Sequence, residues 1–150
     1  TYCALEGDKY AEKILKEIFG KIGANVFLIS QNNKKLYHIA GVLASNYLVT
    51  LLDACTELLI ESNIEPKLAK KLTLKLVNST MVNIEKAEDI FSALTGPLKR
   101  QEIYLIKQHL TALWHHKTEN LYRILLKQTC EKLKPSNPKI YQEILNLLEN

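Results

Sequence analysis

The chain has 150 residues, of which 47% are hydrophobic and 24% charged, as in one globular domain or a small domain with an appendage. The net charge is only +4, and lysines are interspersed with acids instead of forming a basic block with aromatics, which argues against nucleic-acid binding. Three distant cysteines without a C-x-x-C pair argue against disulfides and zinc, and no uniformly apolar run indicates a membrane span, so we expect a cytoplasmic protein.

The first thirty residues predict a β-α-β unit. A short strand at residues 2–5 ends in a turn at residues 6–8, where Asp8 is placed to cap a helix that stops near Gly23. A second strand follows at residues 25–30. Because two parallel strands need both faces covered, we expect this unit to be the edge of a larger α/β sheet. The first residue is a threonine, which is consistent with a fragment or a processed product.

From residue 33 onward the hydrophobic spacing predicts only helices, so the fold class is mainly α. Pro66 opens the second of these helices, a bend is predicted at residues 79–80, and Gly96-Pro97 marks a loop. The predicted helices are residues 33–62, 66–87, 100–116, 118–133 and 138–148, with a loop at 92–100. Trp114 is expected to point inward from the helix at 100–116.

Polar residues lie inside the first and most apolar of these helices. At about 100° per residue, His38 and Ser45 fall nearly in line, with Asn46 roughly 80° round and Lys35 one turn earlier. Gly41 lies on the same side. A glycine inside a helix lowers the stability of that helix, so its presence indicates the close approach of another helix or a ligand. This alignment of polar side chains along one face of the helix predicts one wall of a ligand cleft. The alternative is that these groups form hydrogen bonds with neighbouring helices.

The segment ALTGPLKR is the second candidate site. Its Thr95-Gly96-Pro97 turn offers backbone N–H groups and a hydroxyl, and Arg100 has the planar fork that binds a carboxylate or a phosphate. The alternative is an ordinary connection between two helices.

Other sites have little support in the sequence. His115 and His116 are adjacent, so they point apart, and no further ligand at metal-binding spacing accompanies them. We therefore expect no metal site. The chain contains neither G-x-G-x-x-G nor a P-loop, so we also expect no dinucleotide site within it.

The segments CALEGD, KLYHIAGVLASNYLVTLLD and ALTGPLKR, in this order and spacing, resemble the C-terminal part of a family regarded as NADP-dependent oxidoreductases. In that family a Rossmann-like domain precedes a helical domain long catalogued as of unknown function. The helical part is similar to the C-terminal domains of the 6-phosphogluconate dehydrogenase superfamily, which includes pyrroline-5-carboxylate reductase and ketopantoate reductase. The resemblance covers about residues 1 to 135.

The resemblance implies two domains. Residues 1–32 would be the strand-helix-strand tail of the Rossmann-like domain, and residues 33–150 a helical domain for substrate binding and dimerisation. NADP or NAD would bind to the full-length protein, and this chain alone would bind no dinucleotide and is not expected to be active. The expected partners are a second copy, the missing Rossmann-like domain and a small-molecule substrate, without nucleic acid or membrane.

The resemblance also implies site residues. In related enzymes the long first helix lines the substrate cleft opposite the nicotinamide. One branch uses a lysine with an asparagine four residues later, but here Ile39 follows Lys35 at that spacing. His38 is therefore the candidate general acid, since imidazole titrates near neutral pH, with Lys35 as the second catalytic candidate. The implied substrate-binding residues are Tyr37, Ser45, Asn46, Thr95, Gly96 and Arg100.

The function that follows is the C-terminal part of an NAD(P)-dependent oxidoreductase that contributes a cleft wall opposite the nicotinamide. The alternative is a non-catalytic helical domain for protein interaction or oligomerisation.

Overall fold

The computed structural model describes residues 1–149, without the side chain of Pro135. Its described part is mainly helical with a short parallel two-stranded sheet at the N-terminus, as the sequence predicts. The elements are β1 Tyr2–Leu5, α1 Lys9–Lys21, β2 Asn25–Leu28, α2 Lys34–Ala44, α3 Asn46–Glu61, α4 Pro66–Lys86, α5 Ile103–Ala112, α6 Glu119–Leu133 and α7 Pro138–Asn146.

Two compact units divide the chain. The first comprises Thr1–Cys55 and the second begins at Thr56, so the division falls inside α3. The predicted domain boundary between residues 32 and 33 is a different division and stays a prediction.

The β-α-β unit forms as predicted. The strands are parallel, with Tyr2 opposite Asn25 and Leu5 opposite Leu28. Asp8 caps α1 by accepting hydrogen bonds from two backbone N–H groups, and Gly23 follows the helix at φ +77°, which glycine adopts without strain. The second strand ends at Leu28, two residues earlier than predicted, because the last bond across the pair joins Ile29 N to Leu5 O.

The long helix predicted from residue 33 to about 62 is instead two helices. Ser45, at φ −119° and ψ −73°, separates α2 from α3. Its N–H still donates to Gly41 O at 3.0 Å and its carbonyl accepts from Val49 N at 3.1 Å. The hydrogen-bond pattern thus continues across one distorted residue, at a serine, a residue type with modest helix propensity.

The surface of this helical stretch is largely apolar, and much of it is exposed within the described chain. No residue of α2 or α3 is buried. By length and composition alone, residues 31–61 could cross a membrane, since an 18-residue window within them has a mean hydropathy of 1.4. One such stretch is a weak indication, because core helices of soluble proteins meet the same criteria.

The second unit contains the hydrophobic core. The core joins α5, α6 and α7, and its buried members are Ile106, Leu110, Leu126, Cys130, Leu133, Tyr141 and Ile144. Helix α4 begins at Pro66, is capped by the Glu65 side chain, and runs without interruption through residues 79–80, where a bend was predicted. Its Thr73 hydroxyl lies 3.0 Å from that of Thr56 on α3.

Helix α5 is shorter than predicted at both ends. It covers Ile103–Ala112 instead of residues 100–116. Gln101 at φ +61° and His115 at φ +60° have left-handed backbone conformations, which a continuous helix excludes. Trp114, predicted to point inward, is 57% exposed because it lies beyond the helix.

Candidate functional site

The first group of candidate residues lies on one solvent-facing segment. Lys35, Tyr37 and His38 are on α2, Ser45 is the residue between the helices, and Asn46 begins α3. All five are exposed. They are therefore not polar groups hidden in a dry core, and the interpretation that they are satisfied by neighbouring helices has no support within the described residues.

The start of α2 is attached to the β-α-β unit by two contacts. Lys34 Nζ lies 2.6 Å from Glu6 Oε2, whose side chain is largely buried in the turn after β1. That oxygen accepts no other hydrogen bond within the described chain, so the lysine is its partner. The rings of Tyr37 and Phe27 meet edge to face at 5.9 Å. Because Lys34 is paired with Glu6, Lys35 is the neighbouring cation that could contact a ligand.

Gly41 has open space around it. A Cβ added there would meet no atom within 4 Å in the described chain. The glycine therefore does not serve a close approach within this chain. A ligand, a second copy or another domain could come close at this point.

The second group surrounds the Thr-Gly-Pro turn. Gly96 has φ +87°, which accounts for glycine at this position, and its carbonyl accepts from Arg100 N at 3.1 Å. Just upstream, Asp89 and Ser92 form a capping box around a short 3-10 helix, Ile90–Ala93. Thr95 is exposed.

Arg100 is already paired in this structure. Its Nε and NH2 atoms donate to the two carboxylate oxygens of Glu102 at 2.8 and 2.9 Å. This hydrogen bonding lowers the pKa of the Glu102 carboxyl and raises that of the Arg100 guanidinium. A ligand carboxylate or phosphate would therefore have to share or displace Glu102.

Helix α7 positions this turn, which the sequence did not indicate. Tyr141 Oη donates to Leu98 O at 3.1 Å, and Asn137 Nδ2 donates to Gln101 Oε1 at 3.2 Å. Tyr141 is almost fully buried, so the turn rests on the core of the second unit. Only a tertiary contact identifies these two residues, because 36 and 43 positions separate the partners.

A small cavity adjoins the turn. Its volume is about 260 Å³, and its walls are mostly apolar with a few hydrogen-bonding side chains. It is lined by Thr80, Asn83, Ile84, Ile90, Phe91, Ala93, Leu94 and Thr95. Of these only Thr95 is a predicted site residue. Ala93 and Leu94 belong to the same ALTGPLKR segment, and the other five belong to segments without a recognisable motif.

The two groups belong to different compact units. The structure brings Lys35 to Asn46 onto one segment, and Thr95, Gly96 and Arg100 onto one turn. That both groups face a single cleft stays a prediction.

Polar pairs elsewhere stabilise the second unit. His116 Nε2 lies 2.8 Å from Glu61 Oε2, and its Nδ1 accepts from Thr118 N, so this imidazole has both nitrogens engaged. His109 Nδ1 lies 2.9 Å from Tyr122 Oη. Among the described residues, no group of three His, Cys, Asp or Glu side chains could hold a metal ion.

Comparison with known proteins gives two findings. A family model described as "Domain of unknown function (DUF2520)" matches residues 1–129. The protein TM1727 from Thermotoga maritima has a similar solved structure, with a TM-score of 0.73 and 26% sequence identity. The alignment covers 99% of this chain and 55% of that one, so the chain spans about half the length of this relative. No curated protein matches the sequence.

Proposed function

The chain belongs to the DUF2520 family, a domain of unknown function, and we propose that it is the C-terminal substrate-binding and dimerisation part of an NADP- or NAD-dependent oxidoreductase. The observation that carries this proposal is the parallel β1–β2 pair, which leads into the helix bearing His38. The proposal has three parts: an absent dinucleotide-binding domain, a substrate-facing helix and a dimer.

The absent domain is inferred from uncovered apolar surface on the strands. Tyr2 of β1 is 77% exposed, and Phe27 and Leu28 of β2 are exposed as well. Parallel sheets are stable when both faces are covered and more strands are present, so β1 and β2 suit the edge of a larger sheet. The partial coverage of TM1727 is consistent with further chain of that kind.

The substrate-facing helix is inferred from the exposed side chains of α2. NADPH or NADH held by the preceding domain would supply a hydride to a C=O or C=N group. The oxygen or nitrogen then needs a proton, and His38 is exposed and has no hydrogen bond within the described chain to hold its proton elsewhere. Lys35 would add positive charge next to the developing anion.

Substrate binding would use polar groups of two segments. Tyr37, Ser45 and Asn46 supply hydroxyl and amide groups on the α2–α3 segment. Thr95, Gly96 and Arg100 supply a hydroxyl, a backbone group and a cation on the turn, where Arg100 would exchange Glu102 for a substrate carboxylate or phosphate.

The test of this function compares the chain with the protein that its full reading frame encodes. We expect NADPH to bind the longer protein with a micromolar or lower dissociation constant in calorimetry, and the chain alone not to bind it. A low-micromolar dissociation constant for the chain alone would contradict the proposal that a separate domain binds the dinucleotide. A reading frame without a Rossmann fingerprint before Thr1 would contradict the oxidoreductase itself.

The role of His38 has its own test in the longer protein. His38→Asn should lower turnover by about 10²–10⁴-fold, because it removes the proton donor. His115→Asn is the matched control, since this exposed histidine lies outside both candidate groups. Equal effects of the two substitutions would assign His38 a structural role.

The second candidate function is a non-catalytic interaction domain. The observation that favours it is the apolar surface of α2 and α3, where no residue is buried. The exposed large side chains there are Leu36, Tyr37, Ile39, Leu43, Tyr47, Leu48, Val49 and Ile60. A helix that is apolar over most of its circumference needs cover, which a second copy would provide with or without catalysis.

A further inference from the structure

Helix α4 concentrates the positive charge of the chain in its first half. Its lysines Lys67, Lys70, Lys71 and Lys75 are all exposed, and no acidic residue occurs between Pro66 and Ile84. These four account for the whole net charge of +4, because the other sixteen basic residues equal the acidic ones in number. None of the four forms an ion pair within the described part of the chain.

This arrangement is unfavourable in the isolated helix. Lysines four residues apart repel each other, and a lysine in the first turn opposes the helix dipole. Lys67 with Lys71, and Lys71 with Lys75, are such pairs. A partner with the opposite charge would offset this cost.

The other end of the same helix supplies the opposite charge. Glu85 is in the last turn of α4, and Glu88 and Asp89 follow the helix directly. All three are exposed. The surface therefore changes from strongly basic in the first half of α4 to mixed in its last turn, where Lys86 adjoins Glu85, and to acidic just beyond the helix.

The residues along one line of α4 are arranged symmetrically about Asn78. At four residues on either side lie Leu74 and Val82, and at seven residues on either side lie Lys71 and Glu85. At 100° per residue, all four point within about 40° of Asn78. Eleven residues before Asn78 the line continues with Lys67, whereas the helix ends at Lys86 on the other side.

The apolar members of this line are exposed. Leu74 is 46% and Val82 is 45% exposed, and both line an open groove of about 550 Å³ along α4. Lys71 and Asn78 line the same groove. The line thus combines an uncovered apolar centre with charged ends of opposite sign.

We propose that α4 pairs with α4 of a second copy in an antiparallel arrangement whose two-fold axis passes beside Asn78. This places Lys71 opposite the partner's Glu85 and Leu74 against the partner's Val82, twice by symmetry. The amide of Asn78 meets its own counterpart and sets the register, as a buried asparagine does in coiled coils. The inference rests on the dimer of the proposed function and names one of its contacts.

A second copy fits this surface better than a uniformly anionic partner. A lipid bilayer or a nucleic acid would be attracted to Lys67 and Lys71 but repelled by Glu85, Glu88 and Asp89. Only a partner whose charges run in the reverse order satisfies both ends, and α4 turned through a two-fold axis has that order.

Charge reversal tests the pairing. Lys71→Glu and Glu85→Lys should each raise the dimer dissociation constant about tenfold or more in sedimentation equilibrium, and the double variant should restore it, because it rebuilds both pairs. Lys107→Glu on α5 is the matched control, since it changes the net charge equally at an exposed lysine outside this line. If Lys107→Glu raised the dissociation constant as much as Lys71→Glu, the change in net charge would explain the effect, and the pairing would be overturned.

Cross-linking tests the register. In a background with Cys3→Ser and Cys55→Ser, Asn78→Cys should oxidise to a covalent dimer, since only residues at the axis approach their own counterparts. Ser79→Cys, turned by 100° on the helix, should not. A stable dimer without cross-linking at residue 78 and without an effect of charge reversal would overturn the α4 pairing while leaving dimerisation intact. A chain that is monomeric throughout would overturn both.

Discussion

At the scale of single residues, burial controls the chemistry of Cys130. This thiol is completely buried in the core between α5, α6 and α7. Burial, with a smaller contribution from Glu131, raises the pKa of Cys130 to about 11. Because the thiolate is the reactive form, the side chain is both inaccessible and protonated at neutral pH.

We therefore expect native Cys130 to resist alkylation by iodoacetamide at pH 8, where on the order of 10⁻³ of such a thiol is ionised. Peptide mass spectrometry after labelling in increasing urea should show Cys130 modified in step with global unfolding. Cys55, which is exposed, is the internal comparison. Rapid labelling of Cys130 without urea would reveal a local opening of the core.

Glu119 gives an acid-sensitive contribution to stability. Its carboxylate lies 2.8 Å from Arg123 Nε and accepts from His115 N at 2.8 Å. The hydrogen bond with Arg123 is the main reason that the pKa of Glu119 is lowered in the folded chain. A lowered folded pKa means that this stabilisation is complete above the unfolded value of about 4.3 and is lost as the pH falls through the folded value.

Glu119→Gln should accordingly destabilise the chain at pH 7, and its difference from the wild type should shrink as the pH falls below about 4. Urea midpoints measured between pH 3 and pH 7 test this. Glu143→Gln, at an exposed position on α7, is the matched control, because it removes a carboxylate that forms no ion pair within the described residues. A Glu119→Gln difference that stayed constant to pH 3 would rule out the ion pair as its origin.

At the scale of elements, local signals in the sequence define where helices begin. Asp8 Oδ1 accepts from Tyr10 N at 2.9 Å and from Ala11 N at 2.8 Å at the start of α1. Glu65 Oε2 accepts from Leu68 N at 3.0 Å at the start of α4, just before Pro66. Each cap satisfies donors that the helix cannot pair internally.

Asp8→Ala should lower stability by about 1 kcal/mol and increase amide exchange at Tyr10 and Ala11. Asp8→Asn is the matched variant, because it keeps an acceptor oxygen and should show a smaller effect on both measurements. Exchange that is unchanged in Asp8→Ala would mean that solvent or another group replaces the cap.

At the scale of the whole molecule, apolar surface exceeds what one chain covers. Among the described residues, every buried one except Leu5 lies in the second unit. The α2–α3 stretch contains no buried residue, and β1 and β2 expose large side chains. Such surface is typical of an interface with a second copy or with another domain.

We expect sedimentation equilibrium to give a mass near twice the 17.2 kDa of the chain, stable over a hundredfold dilution. The physical reason is that an obligate interface of this kind should bury more than about 2,000 Å² in total. A constant mass near 17.2 kDa would contradict the dimer and favour cover of the apolar surface by a different domain or protein.

The sequence by itself determined the elements whose signals are local. Asp8 and Pro66 marked helix starts, Gly23 a helix end, and Gly96 a tight turn, because caps and left-handed residues act within a few positions. The parallel strand pair and the mainly helical class followed from periodicity. The motif residues of the candidate site were recognisable for the same reason, since they occur in short segments.

Only the tertiary structure decided what depends on distant partners. It interrupted the first helix at Ser45, shortened α5 and left Trp114 exposed, where periodicity predicted continuous helices and an inward tryptophan. It also revealed that Tyr141 and Asn137 hold the Thr-Gly-Pro turn. Contacts between residues tens of positions apart have no local signature, because they depend on how whole helices pack and not on the propensity of any one segment.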